Sequence, residues 1–275
     1  MSTRRLVVTG LVIILALLAT FVAYELWFGG LLESRSQAQL LSEFKKSLVL
    51  DDTPALVTPP EGHPVAVVEI PRLGGEQVLV QGIGSDDTKM GPGHDPATPA
   101  PGQAGNVVII GRRTTYGAPF QHLSAMQPGD SVIATTRQGQ FTYSVESIRT
   151  VPLGDTSVVA ATTDDRMTLI TSASAYRPGN ELVVVAKLQG KGLQAPGPLP
   201  LRPLGERPGR STLMNGRWGA ILLWGELFAL TLALTLYLYR RRWNPAVTYL
   251  LTTPILITLA VLFFRAVDTL LPPTL

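Results

Sequence analysis

The chain has 275 residues, no cysteine, a formal net charge of +3 and 45% hydrophobic residues, and its mean hydropathy is +0.24. Without cysteine there is neither a disulfide framework nor a thiol nucleophile, and so mild and dispersed a positive charge speaks against a nucleic-acid surface. The apolar excess points instead to segments that lie in a membrane.

Residues 1–5, MSTRR, precede an apolar stretch, Leu6 to Phe28, interrupted by Glu25. About 20 such residues cross the hydrocarbon layer as a helix. Its apolar core exceeds that of a signal peptide and no A-x-A site follows, so a retained anchor is expected. In residues 29–64, ESRSQAQLLSEFKKSLVL sets Leu40, Leu41, Phe44 and Leu48 on one helical face, which reads as a juxtamembrane helix. DDTPALVTPPEGHP then has four prolines and reads as an extended spacer.

Residues 65–189 switch to short β-branched runs divided by Gly and Pro. The expected strands are VAVVEI, QVLVQ, NVVIIG, SVIATT, FTYSVESIRTV, MTLIT and LVVVAKL, with RQGQ at 137–140 as a tight turn and a short helix before Pro128. Seven or eight such strands imply a closed barrel or a sandwich. Residues 190–217, rich in Pro, Gly and Arg, form a linker.

Residues 218–239 are a second span broken only by Glu226, 240–244 a turn filled by Arg240, Arg241 and Arg242, 245–264 a third, uncharged span, and 265–275 a tail. Cationic flanks stay cytoplasmic, so the N-terminus and the 240–244 turn face the cytoplasm and the β-domain lies outside the plasma membrane. Arg202, Arg207, Arg210 and Arg217 run against this assignment, but long translocated segments tolerate charge. Trp27, Trp218 and Trp243 fall at span ends, where an amphipathic ring belongs. Glu226 lies about 12 Å into its span. An ionisable group there costs a few kcal/mol and is expected to face Thr231, Thr252, Thr253, Arg265 or a group in another protein. Pro254 is expected to kink the third span, with Thr252 or Thr253 covering the freed carbonyl.

Five stretches of the β-domain together resemble the sortase family, the membrane-anchored cysteine transpeptidases of Gram-positive cell envelopes. VVEIPRLG is similar to the family's opening strand. GPGHDPATPAPGQAGNVVIIGRR resembles a stretch ending in a hydrophobic strand and GHR, and TTYGAPFQHLSAMQPGDSVIATT resembles the loop and strand that follow. MTLIT corresponds to the strand that ends TLxTC, and ELVVVAKL to the strand that begins with Arg. The resemblance implies a mainly β protein, an eight-stranded sortase-like barrel with three transmembrane helices, nearest the actinobacterial class E type.

Sortase chemistry needs a thiolate to attack, an imidazole to move protons and a guanidinium to stabilise the oxyanion. By the resemblance those positions hold Ser172, Arg112 and Glu181, so no catalytic residue is expected. A serine needs a neighbouring base, a guanidinium cannot be one, and a carboxylate would repel a tetrahedral intermediate. An Arg112–Glu181 ion pair, with Arg177 as competitor, is one structural expectation. His94, Arg113, Tyr116, Tyr176 and Arg177 are the expected groove or partner contacts; His122, in PFQHL, has a helix-surface or packing role as its alternative, and His63 is isolated in the spacer. No metal-ligand spacing or cofactor motif is visible. The expected function is that of a pseudo-sortase, an accessory subunit binding other membrane or cell-envelope proteins or a sorting-signal-like peptide. Two alternatives remain: transfer or hydrolysis through Ser172, and a regulator competing for LPxTG-like peptides.

Overall fold

The computed structural model describes residues 17, 19–50, 59–175, 179–194, 217–241, 245–268 and 274. The chain divides into two compact units, Met1–Arg210 with Pro273–Leu275, and Ser211–Pro272.

In the first unit, eight strands close into a barrel: β1 (Pro64–Glu69), β2 (Glu76–Gln81), β3 (Gly93–His94), β4 (Asn106–Ile110), β5 (Ser131–Thr136), β6 (Gly139–Pro152), β7 (Arg166–Ser172) and β8 (Asn180–Leu188). Their order around the barrel is β1-β2-β3-β4-β7-β8-β6-β5, which decides for a barrel over a sandwich. Alternation along the strands fills the interior with Leu79, Val107, Ile109, Val132, Met167, Leu169 and Val184. β4, β7 and β8 are apolar on their outer face too, where Val108, Ile110, Ile170, Val183 and Val185 are covered by Val151 and Val158. Burial on both faces is why these strands read as unbroken aliphatic runs. Asn106 fixes that cover, donating to the carbonyls of Val158 at 3.1 Å and Ala160 at 2.9 Å and accepting from Thr168 at 2.7 Å.

The expected RQGQ turn joins β5 to β6, with Thr136 opposite Gly139 and Gly139 at φ +133. In place of the short helix before Pro128 there is a single 3₁₀ turn, Leu123–Ala125. β3 is the strand that composition hides. It is two residues long and pairs parallel to β2 and antiparallel to β4, so its backbone closes the barrel without any strand-forming side chain.

The helix Gly29–Leu50 packs on the barrel. Leu40 lies buried against Val78 and Val80 of β2, with Leu41 packed on the same cluster; Phe44 is buried too, whereas Leu48 is 49% exposed. Gln37 ties the helix to the sheet. Its Oε1 accepts from the Val78 amide at 2.7 Å, and its Nε2 donates to the carbonyls of Val78 at 3.0 Å and Met90 at 2.7 Å. A Cβ on Gly91 would run into that side chain.

In the second unit, the helices Arg217–Arg240 and Pro245–Asp268 meet where Gly225 leaves room for the Phe263 ring. Their segments Trp218–Leu238 and Ala246–Asp268, with hydropathy 1.9 and 2.1, are long and apolar enough to cross a membrane. That makes two such helices among the described residues where three spans were expected; most of Leu6 to Phe28 lies outside those residues. Residues 19–23 are helical and lead into a π-helical turn, Tyr24–Phe28. Glu226 is exposed within its unit. Thr231 donates to the Leu227 carbonyl at 2.8 Å and Thr252 to the Thr248 carbonyl at 2.8 Å. The carbonyl that a proline at 254 frees is the one four residues earlier, at Leu250, so the Thr252 hydroxyl is committed elsewhere.

Phe44, 2% exposed, is a fully buried aromatic of this helix. Phe44→Ala should lower the unfolding free energy of the full-length protein in detergent by about 3 kcal/mol, and Leu48→Ala by less than about 0.5 kcal/mol, both read by denaturant titration.

Candidate functional site at the β4–β7–β8 edge

β4 and β7 run parallel, with Ile110 beside Ile170, and the Gly111 amide donates to the Ile170 carbonyl at 3.0 Å. Arg112 and Ser172 therefore leave their strands side by side. Ser172 is in turn opposite Glu181 across the antiparallel β7–β8 pair, and such partners project from one face of a sheet. Register alone brings Arg112, Ser172 and Glu181 to one edge.

Arg112 is fully buried. Its Nη1 donates to Thr115 Oγ1 at 3.0 Å, and its Nη2 to the Ser85 hydroxyl at 3.1 Å and the Ser85 carbonyl at 3.2 Å. The guanidinium also lies 4.9 Å from the centre of the Tyr116 ring. A buried charge is tolerated only when hydrogen-bonded in this way. These contacts hold the side chain. They tie the end of β4 to Ser85, the first residue of the helical turn Ser85–Thr88.

Tyr116, expected as a groove contact, is itself buried in a left-handed conformation, φ 48. Its ring and amide pack under Gly29 of the helix, where a Cβ would lie 3.4 Å away. A non-glycine residue at this φ carries about 1–3 kcal/mol of strain, so the surrounding packing must hold it. The next residue, Gly117 (φ +72), abuts the Glu33 carboxyl, which a Cβ there would strike. Glu33 is buried, and that burial pushes its carboxyl from 4.5 up to about 7.

Arg113 is half-buried. Its Nη1 donates to the Ser172 carbonyl at 3.1 Å. The Ser172 hydroxyl donates to the Ser174 carbonyl at 2.7 Å. The backbone amides of Arg113 and Ser172 both donate to the carbonyl of Thr274, at 3.2 and 3.4 Å. Tyr176 and Arg177 lie outside the described residues.

The three histidines are placed apart in role. His94 is 1% exposed, with Nε2 donating to the Pro99 carbonyl at 2.8 Å and Nδ1 2.8 Å from the Gln81 side-chain amide. Desolvation lowers it to about 4, partly opposed by the Pro99 carbonyl, so it is a neutral ring in the barrel wall and not a groove contact. His122 is exposed and lines, with Ile70, Leu73, Phe120 and Gln121, a cavity of about 210 Å³. His63, also on the surface, sits 2.6 Å from Glu43. Among the described residues no group of three or more His, Asp or Glu could hold a metal.

Residues 68–189 match the sortase domain model. Sortase D of Bacillus subtilis is 27% identical over 118 residues, 43% of this chain and 58% of that protein. Sortase SrtE1 of Streptomyces coelicolor is 28% identical over 141 residues, 48% of this chain and 39% of that protein. A solved Sortase D5 transpeptidase of Clostridium perfringens superposes with TM-score 0.53 and 26% identity over 57% of this chain and 99% of that chain. The chain carries a sortase domain over residues 68–189. It spans about half the length of the curated relatives it matches.

At this edge Arg112, Arg113 and Ser172 each donate a side-chain hydrogen bond to a neighbouring group. The proton that a base would remove from Ser172 is given to a loop carbonyl. Arg112 cannot accept a proton, and Glu181 brings a carboxyl beside Ser172. What the edge does offer is a pair of backbone N–H groups converging on a carbonyl oxygen, an arrangement suited to holding a peptide. Three features escaped the sequence reading: Glu33 and Gln37, which carry no motif, and the Thr274 carbonyl, which is a backbone group.

Glu33 makes the packing beneath this edge pH-dependent. Because its folded-state pKa is raised, its contribution to stability is complete below 4.5 and lost as the pH rises through about 7. The stability of Glu33→Gln relative to the parent should therefore increase across that interval, as measured by denaturant unfolding at several pH values. A difference that does not change with pH would show that the carboxyl titrates normally.

Proposed function

We propose that this sortase-family protein works by binding rather than by transpeptidation. In this reading it is a pseudo-sortase anchored in the plasma membrane of an actinobacterium-like Gram-positive cell, with its N-terminus cytoplasmic and its barrel outside, serving as an accessory subunit for cell-envelope proteins or a sorting-signal-like peptide. The observation that carries it is the Ser172 hydroxyl, which donates to the Ser174 carbonyl at 2.7 Å in a chain with no cysteine. A nucleophile must share its proton with a base, and this one shares it with an acceptor that cannot take it. The apolar helices and the cationic 240–242 turn support the membrane placement.

A second reading, transfer or hydrolysis through Ser172, draws on the two amides that meet at one carbonyl oxygen, since such a pair can also stabilise an oxyanion. A serine-directed fluorophosphonate separates the two. The full-length protein in mild detergent should label no more than its Ser172→Ala variant, and Ser172-dependent labelling would establish the enzymatic reading. Affinity capture of the same preparation should recover a membrane or envelope protein in fixed proportion; recovery of the chain alone would count against a subunit role.

A further inference from the structure

Glu226 lies within Trp218–Leu238, a segment apolar enough to cross a membrane. Ionisable groups at such a depth are rare, and they pair with one another or with other polar groups. The helical period takes Glu226 away from every such group in its own unit. Trp224, Phe228, Thr231 and Thr235, all half-buried or buried, recur at steps of four, three and four and mark the side turned to the helix Pro245–Asp268, beside the Gly225–Phe263 contact. Gly219, Leu222, Glu226, Ala229 and Ala233 recur at steps of three, four, three and four on the opposite side, and all are exposed. No hydrogen bond or ion pair joins Glu226 to another described residue.

The helix Pro245–Asp268 carries the complementary charge. Leu251, Pro254, Thr258 and Arg265, all exposed, recur at steps of three, four and seven and form one stripe. Arg265 is two residues beyond Phe263, which faces Gly225, and two residues turn the side chain about 200° around the axis, away from the hairpin neighbour. Arg265 likewise has no ion pair with a described residue. The short connection at residues 241–244 makes the two helices antiparallel, so depth can be counted from the Gly225–Phe263 contact. Glu226 lies about 1.5 Å to one side of it and Arg265 about 3 Å to the other, a separation of less than one helical turn along the axis. Within one copy the two charges face apart; between neighbouring copies in one membrane they meet at matching depth.

We propose that the apolar hairpin is a self-association surface, on which the Glu226 stripe of one copy docks against the Arg265 stripe of a second copy, with the two charges paired between copies. Ala229 and Ala233 let the backbones approach closely. A symmetric contact through the same stripe would set Glu226 against Glu226, so charge selects the heterologous arrangement, which closes into a ring or extends as a row. The inference rests on the membrane placement proposed above and uses no group of the cleft, so the binding role of the barrel stands or falls separately.

The chain has no cysteine, so introduced thiols report this contact alone. Ala229 and Thr258 lie at nearly equal depth on the two stripes. Full-length Ala229→Cys and full-length Thr258→Cys, reconstituted together in phosphatidylcholine vesicles and oxidised, should form a mixed disulfide in clear excess over the disulfide either makes with itself. Glu226→Arg in the Ala229→Cys copy should lower the mixed yield about tenfold, and Arg265→Glu in the Thr258→Cys copy should restore it. Should the reversed charge keep the span out of the vesicles, seen as release by alkaline carbonate, Glu226→Gln should produce the same fall. A mixed yield unchanged by Glu226→Gln, or a self-disulfide of Ala229→Cys as abundant as the mixed one, would overturn the proposal. Parent chain retained by the vesicles without a mixed disulfide would overturn the contact alone, whereas parent chain released by carbonate would overturn the membrane placement with it.

Discussion

Gly111 donates its amide to the Ile170 carbonyl, and with that bond the parallel β4–β7 ladder sets the position of every group at the cleft. Moving either strand by one residue would turn its side chains to the opposite face and separate Arg112 from Ser172 and Glu181. The pairing leaves little room for change at its end. A Cβ on Gly111 would enter the Phe120 ring, and the Phe120 amide caps the Arg112 carbonyl at 3.0 Å. Apolar residues on both faces of β4, β7 and β8 hold the ladder in place.

From that fixed edge the polar side chains turn to structural partners. Arg112 reaches Thr115 and Ser85 and lies over Tyr116, and Tyr116 in turn packs beneath the helix Gly29–Leu50. The helix is bound to β2 through Gln37 and through Leu40. Arg112 is thus part of a continuous path of contacts from this edge to the helix that follows the first apolar stretch. A catalytic site aims preorganised donors and bases at the reacting atoms. Here Arg112 is hydrogen-bonded into the scaffold through Thr115 and Ser85.

The strands could be read from sequence because burial on one or both faces writes itself into alternating or continuous β-branched runs, as in NVVII and LVVVA. β3 could not, since Gly93 and His94 pair through their backbones and have no apolar period. Phe44 was visible as part of a helical face, yet the same pattern extended that face to Leu48, which the barrel does not reach. Nothing in a sequence tells a wall histidine such as His94 from a groove histidine; the difference lies in Gln81 and Pro99, brought to it by folding. Arg112, Ser172 and Glu181 were found through the family resemblance, and their convergence follows from strand register. The partners that immobilise Arg112, and the carbonyl of Thr274, come from segments far away in the chain and left no local signal.

The most direct measurement weighs both participants after an encounter. Full-length protein incubated with an LPxTG peptide and a free amine acceptor, then examined by intact-mass spectrometry, should return the peptide uncleaved and Ser172 unmodified. A cleaved or amine-joined peptide, or an acyl ester on Ser172, would show that this sortase-family cleft still performs chemistry and would contradict a binding role.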